Sequence, residues 1–423
     1  MFTHEENEIL TRVGAGTPMG ELFRRFWLPF LLAEELAECD SPPLPVTLLG
    51  EKLIAFRNSD GKLGLIERYC PHRRADLFLG RNEQCGLRCA YHGWKFDITG
   101  RVVDMPAEPP NSPLKAEVRI KAYGIREWGG LIWAYLGDPI HMPETLPQFE
   151  WGLVPARRRV VSKRLQENNY AQTVEGGIDS SHVSILHSRL EPDPALPFRE
   201  RQKSIVPNVP YFASDTAPRF FVRDADHGFL IGARREASPD EYYWRITQFL
   251  VPFYTMIARA DGEPVMGHAW TPIDDQNCWA FTMTWHPERD FVDGEVDPLA
   301  VHADLLTDGS FRPVANKSNN YLLDRNVQKL HSCTGIQGIG AQDAAIQESM
   351  GPIADRTKEN LGSSDAAIVA FRKKLIRMAR DLQAGIHPIQ PAQPDLYKVR
   401  SAGIVLKRGV DFRDGAGDRV LVR

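Results

Sequence analysis

Hydrophobic positions along the chain follow two alternating periods. In GELFRRFWLPFLLAEEL, Leu22, Phe23 and Phe26 fall on one helical face, so the first 35 or so residues are expected to be helical, with Pro29 stopping the run. From about residue 44 to 140, short apolar runs alternate with turn residues. VTLLG, KLIAFRNSDGKLGLIERY and YGIREWGGLIWAYLG read as strands, with Ser59-Asp60-Gly61 and Gly129-Gly130 as hairpin turns. Pro143, Pro147 and Pro155 mark a boundary. QENNYAQTVEGGIDSSHVSILH then reads as helix, and a second strand-rich region runs from about 200 to 290. Within it EYYWRITQFLV sets Tyr242, Trp244 and Ile246 against Tyr243, Arg245 and Thr247, the period of a strand with two unlike faces. The tail returns to helix: Ser363-Ser364-Asp365 supplies a cap, and Ile368, Phe371, Leu375, Met378 and Leu382 recur at steps of three and four. The pattern predicts an all-β domain followed by an α+β domain, without internal repeats.

Composition narrows the function classes. The 423 residues carry 51 basic and 55 acidic side chains, a net charge of −4, which leaves no basic footprint for nucleic acid. Apolar residues at 43% and charged ones at 25% fit a globular chain able to bury two cores. No apolar run nears the roughly 20 residues of a membrane helix. The acidic start MFTHEENEIL is not a secretory signal, so a cytoplasmic protein is expected. Six cysteines are too few for a disulfide framework in a reducing compartment. Three of them, Cys70, Cys85 and Cys89, cluster beside His72 and His92, which points to thiols that hold a metal.

Cys70-Pro71-His72 and Cys89-Ala90-Tyr91-His92 each present one cysteine and one histidine on a short loop after a strand. Two thiolates and two imidazoles can hold one zinc ion or a Rieske [2Fe-2S] cluster, with two cysteines on one iron and two histidines on the other. A zinc finger usually pairs like with like; here each loop offers one ligand to each iron, which suits the cluster. Gly86, Gly93 and Trp94 are expected to shape tight turns beside it, and Cys85 reads as a loop or core thiol. Imidazole ligands raise the cluster's potential, so it would relay electrons.

A second constellation lies at Glu175, Asp179, His182 and His187. Two histidines and a carboxylate make the facial triad of non-haem Fe(II) oxygenases, with positions left for O2 and substrate. His182 and His187, however, stand about 140° apart on a straight helix and can share an ion only if the helix ends or bulges between them. Asp179, three residues before His182, is placed to accept its second ring N–H and orient it. The third ligand must come from elsewhere, and Asp343, Glu348 and Asp355 in GAQDAAIQESMGPIADRTKE remain open.

With both motifs in place, the chain resembles the α subunit of a Rieske non-haem iron ring-hydroxylating oxygenase. GTPMGELFRRFW, CPHRRADL, CAYHGWKFD, EGGIDSSHVSILH, YYWRIT and QESMGPIADRT look most like the phthalate dioxygenase branch. The resemblance implies an N-terminal helical segment (1–40) packing on the catalytic domain, a Rieske domain (41–145) and a helix-grip, START-like α+β catalytic domain (146–423). It implies that Cys70, His72, Cys89 and His92 ligate the cluster and that His182, His187 and Asp343 ligate the mononuclear iron. Asp179 would bridge His182 to a Rieske histidine, His92, of a neighbouring subunit in a head-to-tail trimer or stacked hexamer. Electrons would come from NADH through a separate reductase carrying flavin and a plant-type iron–sulfur cluster. The implied activity is hydroxylation of an aromatic carboxylate with O2. The alternatives are oxidative O-demethylation of a methoxylated aromatic acid and, from another class, an electron-transfer or ligand-binding protein without oxygenase activity. ENNY departs from relatives that carry Trp after the Asn, a change expected at the pocket edge.

Other signals carry less. Gly14, Gly16 and Gly20 lack the preceding strand of a dinucleotide loop. Arg157-Arg158-Arg159 reads as a solvated strand edge, and Asn316-Lys317-Ser318 matches a glycosylation sequon that a cytoplasmic protein would not use. Arg245, projecting from a strand, could hold a substrate carboxylate bidentately, set against a structural ion pair or an outward orientation. Arg234, Arg235 and Arg259 are weaker candidates, and Glu175 is expected to make a structural hydrogen bond.

Overall fold

The computed structural model describes residues 2–188, 190, 211–258, 262–292, 295 and 303–422. The amino end forms two short helices, α1 (His4–Thr11) and α2 (Pro18–Phe23), capped by Thr3 and Thr17. Helix does not continue to residue 35. Leu28–Leu32 is a strand, β1, buried along its whole length, and a 3-10 turn follows at Ala33–Leu36. LPFLL is apolar at every position, so periodicity cannot separate helix from buried strand, and Pro29 lacks the N–H a helix ladder needs.

Strand β1 joins the domain that follows. The β domain contains β2 (Leu44–Leu48), β3 (Glu51–Arg57), β4 (Leu63–Glu67), β5 (Arg81–Glu83), β6 (Gly86–Arg88), β7 (Lys95–Phe96), β8 (Val102–Asp104), β9 (Gly124–Trp128) and β10 (Leu131–Tyr135). They form three small sheets, β1-β10-β9, β2-β3-β4 and β5-β6-β7-β8. The two expected hairpins are present: Gly129 and Gly130, both at positive φ, link β9 to β10, and residues 58–62 link β3 to β4. Gln84 and Cys85, also at positive φ, turn β5 into β6, which makes Cys85 a turn residue. Gly86 lies in β6 and turns nothing; an added Cβ would stand 2.8 Å from the Phe96 carbonyl oxygen, so the residue serves close strand packing.

The second domain is built on an eight-stranded antiparallel sheet. Its strands are β11 (Arg159–Gln166), β12 (Arg219–Ala225), β13 (Gly228–Ser238), β14 (Glu241–Leu250), β15 (Tyr254–Ile257), β16 (Val265–Pro272), β17 (Cys278–Trp285) and β18 (Ala402–Lys407). The order is β11-β17-β16-β15-β14-β13-β12, with β18 pairing beside β15 on the same edge of β14. Of β11 only the edge at Arg159 was foreseen, because the polar, basic RVVSKRLQ lacks clean alternation, and β18 was not foreseen, because it follows a helix that dominates the tail. Arg159 begins edge strand β11, whereas Arg157 and Arg158 pair with Asp290. No helix among the described residues is long and apolar enough to cross a membrane.

Strand register decides which side chains face the helices. Phe249 pairs with Thr255, Thr255 with His268 and His268 with Thr282, so the odd-numbered residues of β14 share one face with Thr255, His268 and Thr282. Helices α3 (Tyr170–Ile178), α4 (Val183–Leu186), α5 (Ile339–Ser349) and α6 (Ala366–Gln383) form the layer beside this sheet. A Cβ added at Gly177 of α3 would stand 2.9 Å from Thr255 Oγ1 and 3.2 Å from Trp270 Nε1, and Phe371 of α6 meets Phe249 edge-on at 5.1 Å. The helices therefore cover the face that carries Tyr243, Arg245 and Thr247. Trp244 and Ile246 point the other way, into a small core with Ile404 and Phe412. Gly176, on the other side of α3, lets α5 approach: an added Cβ there would lie 2.1 Å from Gln347 Nε2. Tyr170, of the departing ENNY segment, is buried with its hydroxyl on the Leu10 carbonyl at 2.7 Å. It anchors α1 and does not edge a pocket.

Candidate metal centres

The two Cys-His loops are built alike. The Cys70 N–H donates to the Ala75 carbonyl and the Cys89 N–H to the Trp94 carbonyl, at 2.9 and 2.8 Å. The fourth residue after each cysteine returns an N–H to the cysteine carbonyl, Arg74 at 2.9 Å and Gly93 at 3.0 Å, and both residues adopt positive φ. Glycine suits that backbone; Arg74 holds it against the usual preference of a residue with a Cβ. Both cysteines are buried, and their imidazole neighbours His72 and His92 meet with ring centroids 4.5 Å apart. His72 stacks on Trp94 at 4.6 Å.

These residues fit an iron–sulfur cluster chemically. Burial pushes the Cys70 thiol up to about 11, and the adjacent Cys89 adds to the shift. Such a thiol becomes a thiolate when a metal takes its charge. His92 Nδ1 is buried and has no hydrogen-bond partner among the described residues, a donor atom fit for a metal. A single tetrahedral zinc would draw its four donors within about 3.3–3.8 Å of one another. Among the described residues only His182, His187 and Asp343 bring three donor atoms within 4.8 Å, so the Cys-His donors do not close on one point as a single zinc would need.

The second centre arises where a helix ends. Helix α3 stops at Ile178, Asp179 is extended at its C-cap, and His182 and His187 flank the four-residue α4. The break permits what a straight helix forbids: Asp343 Oδ1 on α5 lies 3.6 Å from His182 Nε2 and 3.3 Å from His187 Nε2. Asp179 Oδ2 lies 3.1 Å from His182 Nδ1, reaching it across the bend and not along a shared helical face. Gln342, which sequence reasoning did not single out, takes the equivalent place at His187. Its Oε1 lies 2.7 Å from His187 Nδ1, and its Nε2 donates to the Ile336 carbonyl at 2.8 Å. That second bond fixes the amide, so His187 donates from Nδ1. Burial opposes charge on the ring, but Asp343 at Nε2 outweighs it and raises the ring's pKa, and Nε2 is the nitrogen a metal would take in place of a proton. Burial opposes charge on Asp343, but the two imidazoles outweigh it and hold the carboxyl below its ordinary range. Two imidazoles and one carboxylate, with donor atoms converging within 4.8 Å, suit a non-haem Fe(II) ion.

The other candidates separate. Glu348 accepts from the Glu167 N–H at 3.0 Å and from the Tyr321 hydroxyl at 2.7 Å, and Asp355 caps the turn at Thr357; neither joins the histidines. Glu175 is buried between Arg356 and Arg372, at 3.0 and 2.8 Å, a structural ion pair where a hydrogen bond was expected. Arg245 is buried on the helix-bearing face, close enough to His187 to oppose its protonation, so the outward orientation is excluded. Arg234 faces away and lies over Tyr242 at 4.1 Å. Arg235 is committed to backbone and hydroxyl oxygens, and Arg259 lies outside the described residues.

A [2Fe-2S] carrier joined to a two-histidine, one-carboxylate site is the make-up of a Rieske non-haem iron oxygenase. Comparison with known proteins agrees. The Rieske [2Fe-2S] domain family matches residues 26–124, and the family described as LigXa C-terminal domain like matches residues 134–420. The phthalate 4,5-dioxygenase oxygenase subunit of Pseudomonas putida is 37% identical, over 98% of this chain and 94% of its own length. The 3-chlorobenzoate-3,4-dioxygenase oxygenase subunit of Comamonas testosteroni is 35% identical over 99% of both chains. The 5,5'-dehydrodivanillate O-demethylase oxygenase subunit of Sphingobium sp. is 32% identical over 92% of this chain and 83% of its own. A crystal structure of dicamba monooxygenase shares the fold, with a TM-score of 0.59 at 22% identity over 86% of this chain and 98% of the other. The chain belongs to the Rieske non-haem iron oxygenases, as an oxygenase subunit.

Proposed function

We propose that this subunit hydroxylates an aromatic carboxylate, with Cys70, His72, Cys89 and His92 holding the cluster and His182, His187 and Asp343 holding Fe(II). The convergence of those three side chains, in a chain that also carries a Rieske domain, is the observation that supports it most. When bound, the cluster supplies single electrons and the iron supplies O2 activation. The protein's own residues do the rest. Asp179 and Gln342 orient the two imidazoles, and Arg245, on the face toward them, would pair with the substrate carboxylate. Relatives named for phthalate, chlorobenzoate and phenoxybenzoate favour that substrate class. The O-demethylase relative favours a second reading, removal of a methyl group from a methoxylated aromatic acid.

Residues 41–145, joined by strand β1, would relay electrons and 146–423 carry out the oxygenation, with α1 and α2, and not the whole of 1–40, packed on the latter. The electron donor would be an NADH-dependent reductase with flavin and an iron–sulfur cluster, and the location cytoplasmic. His92 is half-buried and Asp179 keeps 22% of its side-chain surface. Both are open to contact in a head-to-tail trimer or stacked hexamer, where Asp179 would meet the partner subunit's His92. The test uses iron-loaded protein, a phthalate-type reductase, NADH and 18O2 with aromatic acids, half of them methoxylated. Ring-retained label supports hydroxylation; formaldehyde with a phenol supports demethylation. NADH consumption yielding only peroxide with every acid overturns the substrate class.

A further inference from the structure

The connection between α3 and α4 is tied locally by Asp179, whose carboxylate accepts from the Ser181 N–H at 2.7 Å and the His182 N–H at 3.3 Å. Four residues make too short a helix to persist unaided, and the bend at 179–181 exposes backbone groups that no helix ladder takes. Yet this span carries Asp179 at one end and places His182 and His187. From the sheet, Tyr243 packs on Val183, and, among the described residues, one buried side chain crosses to the span with hydrogen bonds. Arg235 of β13 pairs in register with Tyr243, on the helix-bearing face, and is 1% exposed. Its Nη2 donates to the Ser180 carbonyl at 2.8 Å and to Ser184 Oγ at 3.4 Å, and its Nη1 to Ser180 Oγ at 3.3 Å. Its Nε donates to the Asp215 carbonyl at 3.1 Å, and the guanidinium lies over the Phe212 ring at 4.4 Å.

All four donor contacts end on carbonyl or hydroxyl oxygens. Among the described residues Arg235 has no carboxylate partner in contact, and the acids whose charge reaches it are Asp215 and Asp179. A planar fork bonded to residues on both sides of His182 fixes the span's position in a way a flexible ammonium would not. The same fork grips the segment bearing Phe212, whose ring also lies 5.9 Å from the Arg245 guanidinium.

We infer that Arg235 is a positioning residue, not an anion-binding one: it clamps Ser180 and Ser184 to the sheet and so sets where Asp179 and His182 stand relative to His187 and Asp343. The inference rests on the reading of His182, His187 and Asp343 as the iron ligands, and the test separates the two. Protein stripped of mononuclear iron but retaining its cluster is titrated with Fe(II) and with Co(II), whose visible bands report coordination geometry. Arg235→Met should keep the Rieske absorption, weaken Co(II) binding by about tenfold and shift its bands. Arg235→Lys, retaining a donor for the Ser180 carbonyl, should recover part of that loss, and Ser184→Ala should show a smaller loss of the same kind. Wild-type affinity and bands in Arg235→Met overturn the clamp. Should Arg235→Met not fold, wild-type behaviour in both Arg235→Lys and Ser184→Ala overturns it equally. His182→Ala is the control: if it binds Co(II) as the wild type does, the ligand reading fails and not the clamp.

Discussion

Each imidazole of the mononuclear site is set by one partner, and the two partners differ in kind. Asp179 offers His182 a carboxylate; Gln342 offers His187 a neutral amide whose other end is tied to Ile336. Asp179→Asn should leave both metal sites filled, because the amide oxygen can still accept from His182. Rapid single-turnover kinetics should nonetheless show cluster-to-iron electron transfer slowed by orders of magnitude, and unchanged cluster oxidation would reject the bridge. Gln342→Leu should lower Fe(II) affinity by about 10–100-fold, as loss of an outer-shell hydrogen bond does, with the Rieske spectrum intact. Metal analysis after dialysis against a chelator would read the difference. At this scale much was legible. The Cys-His loops are dense local motifs, and the 140° offset already demanded that the helix end between His182 and His187. Asp343 stands far along the chain from both and was separable from Glu348 and Asp355 only by resemblance. Gln342 carries no signal of its own, since a glutamine on a helix is usually just solvated.

Among the elements, α3 is closely packed on two sides. Gly176 and Gly177 stand where one side of the helix meets Gln347 and the other meets Thr255 and Trp270. Gly177→Ala should therefore destabilise the protein by about 1–3 kcal/mol despite alanine's better helix propensity, because the methyl group would overpack a β-branched residue and a Trp held in the sheet. Urea melts would measure it; a stabilised variant would show that the sheet yields. Periodicity predicted α6 and the hairpins well. It misread β1 because an unbroken apolar run fits a helix or a buried strand, and it passed over β18 because that strand's partners lie some 160 residues earlier in β14.

At the scale of the whole molecule, one buried charge cluster links distant segments. Glu175 of α3 receives Arg356 from the loop after α5 and Arg372 from α6, while Arg356 also donates to Asn7 of α1 at 3.1 Å. Burial alone would raise the Glu175 pKa, but the two guanidinium groups outweigh it and the net shift is downward. Glu175→Gln leaves those buried cations short of an anion and should cost about 3–5 kcal/mol at pH 7. A depressed folded-state pKa contributes stability above the unfolded value of about 4.3, and that contribution fades as pH falls through the folded-state value. The gap between wild type and variant should therefore narrow in acid, and a gap independent of pH would point to a cause other than charge.

Strand β14 also bears on how such a protein can diverge. Its odd positions look toward the helices that carry His182, His187 and Asp343, and its even positions hold the C-terminal strand and helix against the back of the sheet. Exchanging one side chain for another along it alters one surface and spares the other. Gaining or losing a single codon there would turn every later side chain over, placing Trp244-like bulk before the iron and a guanidinium in the apolar rear core. Descendants of this gene should accumulate new specificities through β14 by substitution, at constant length.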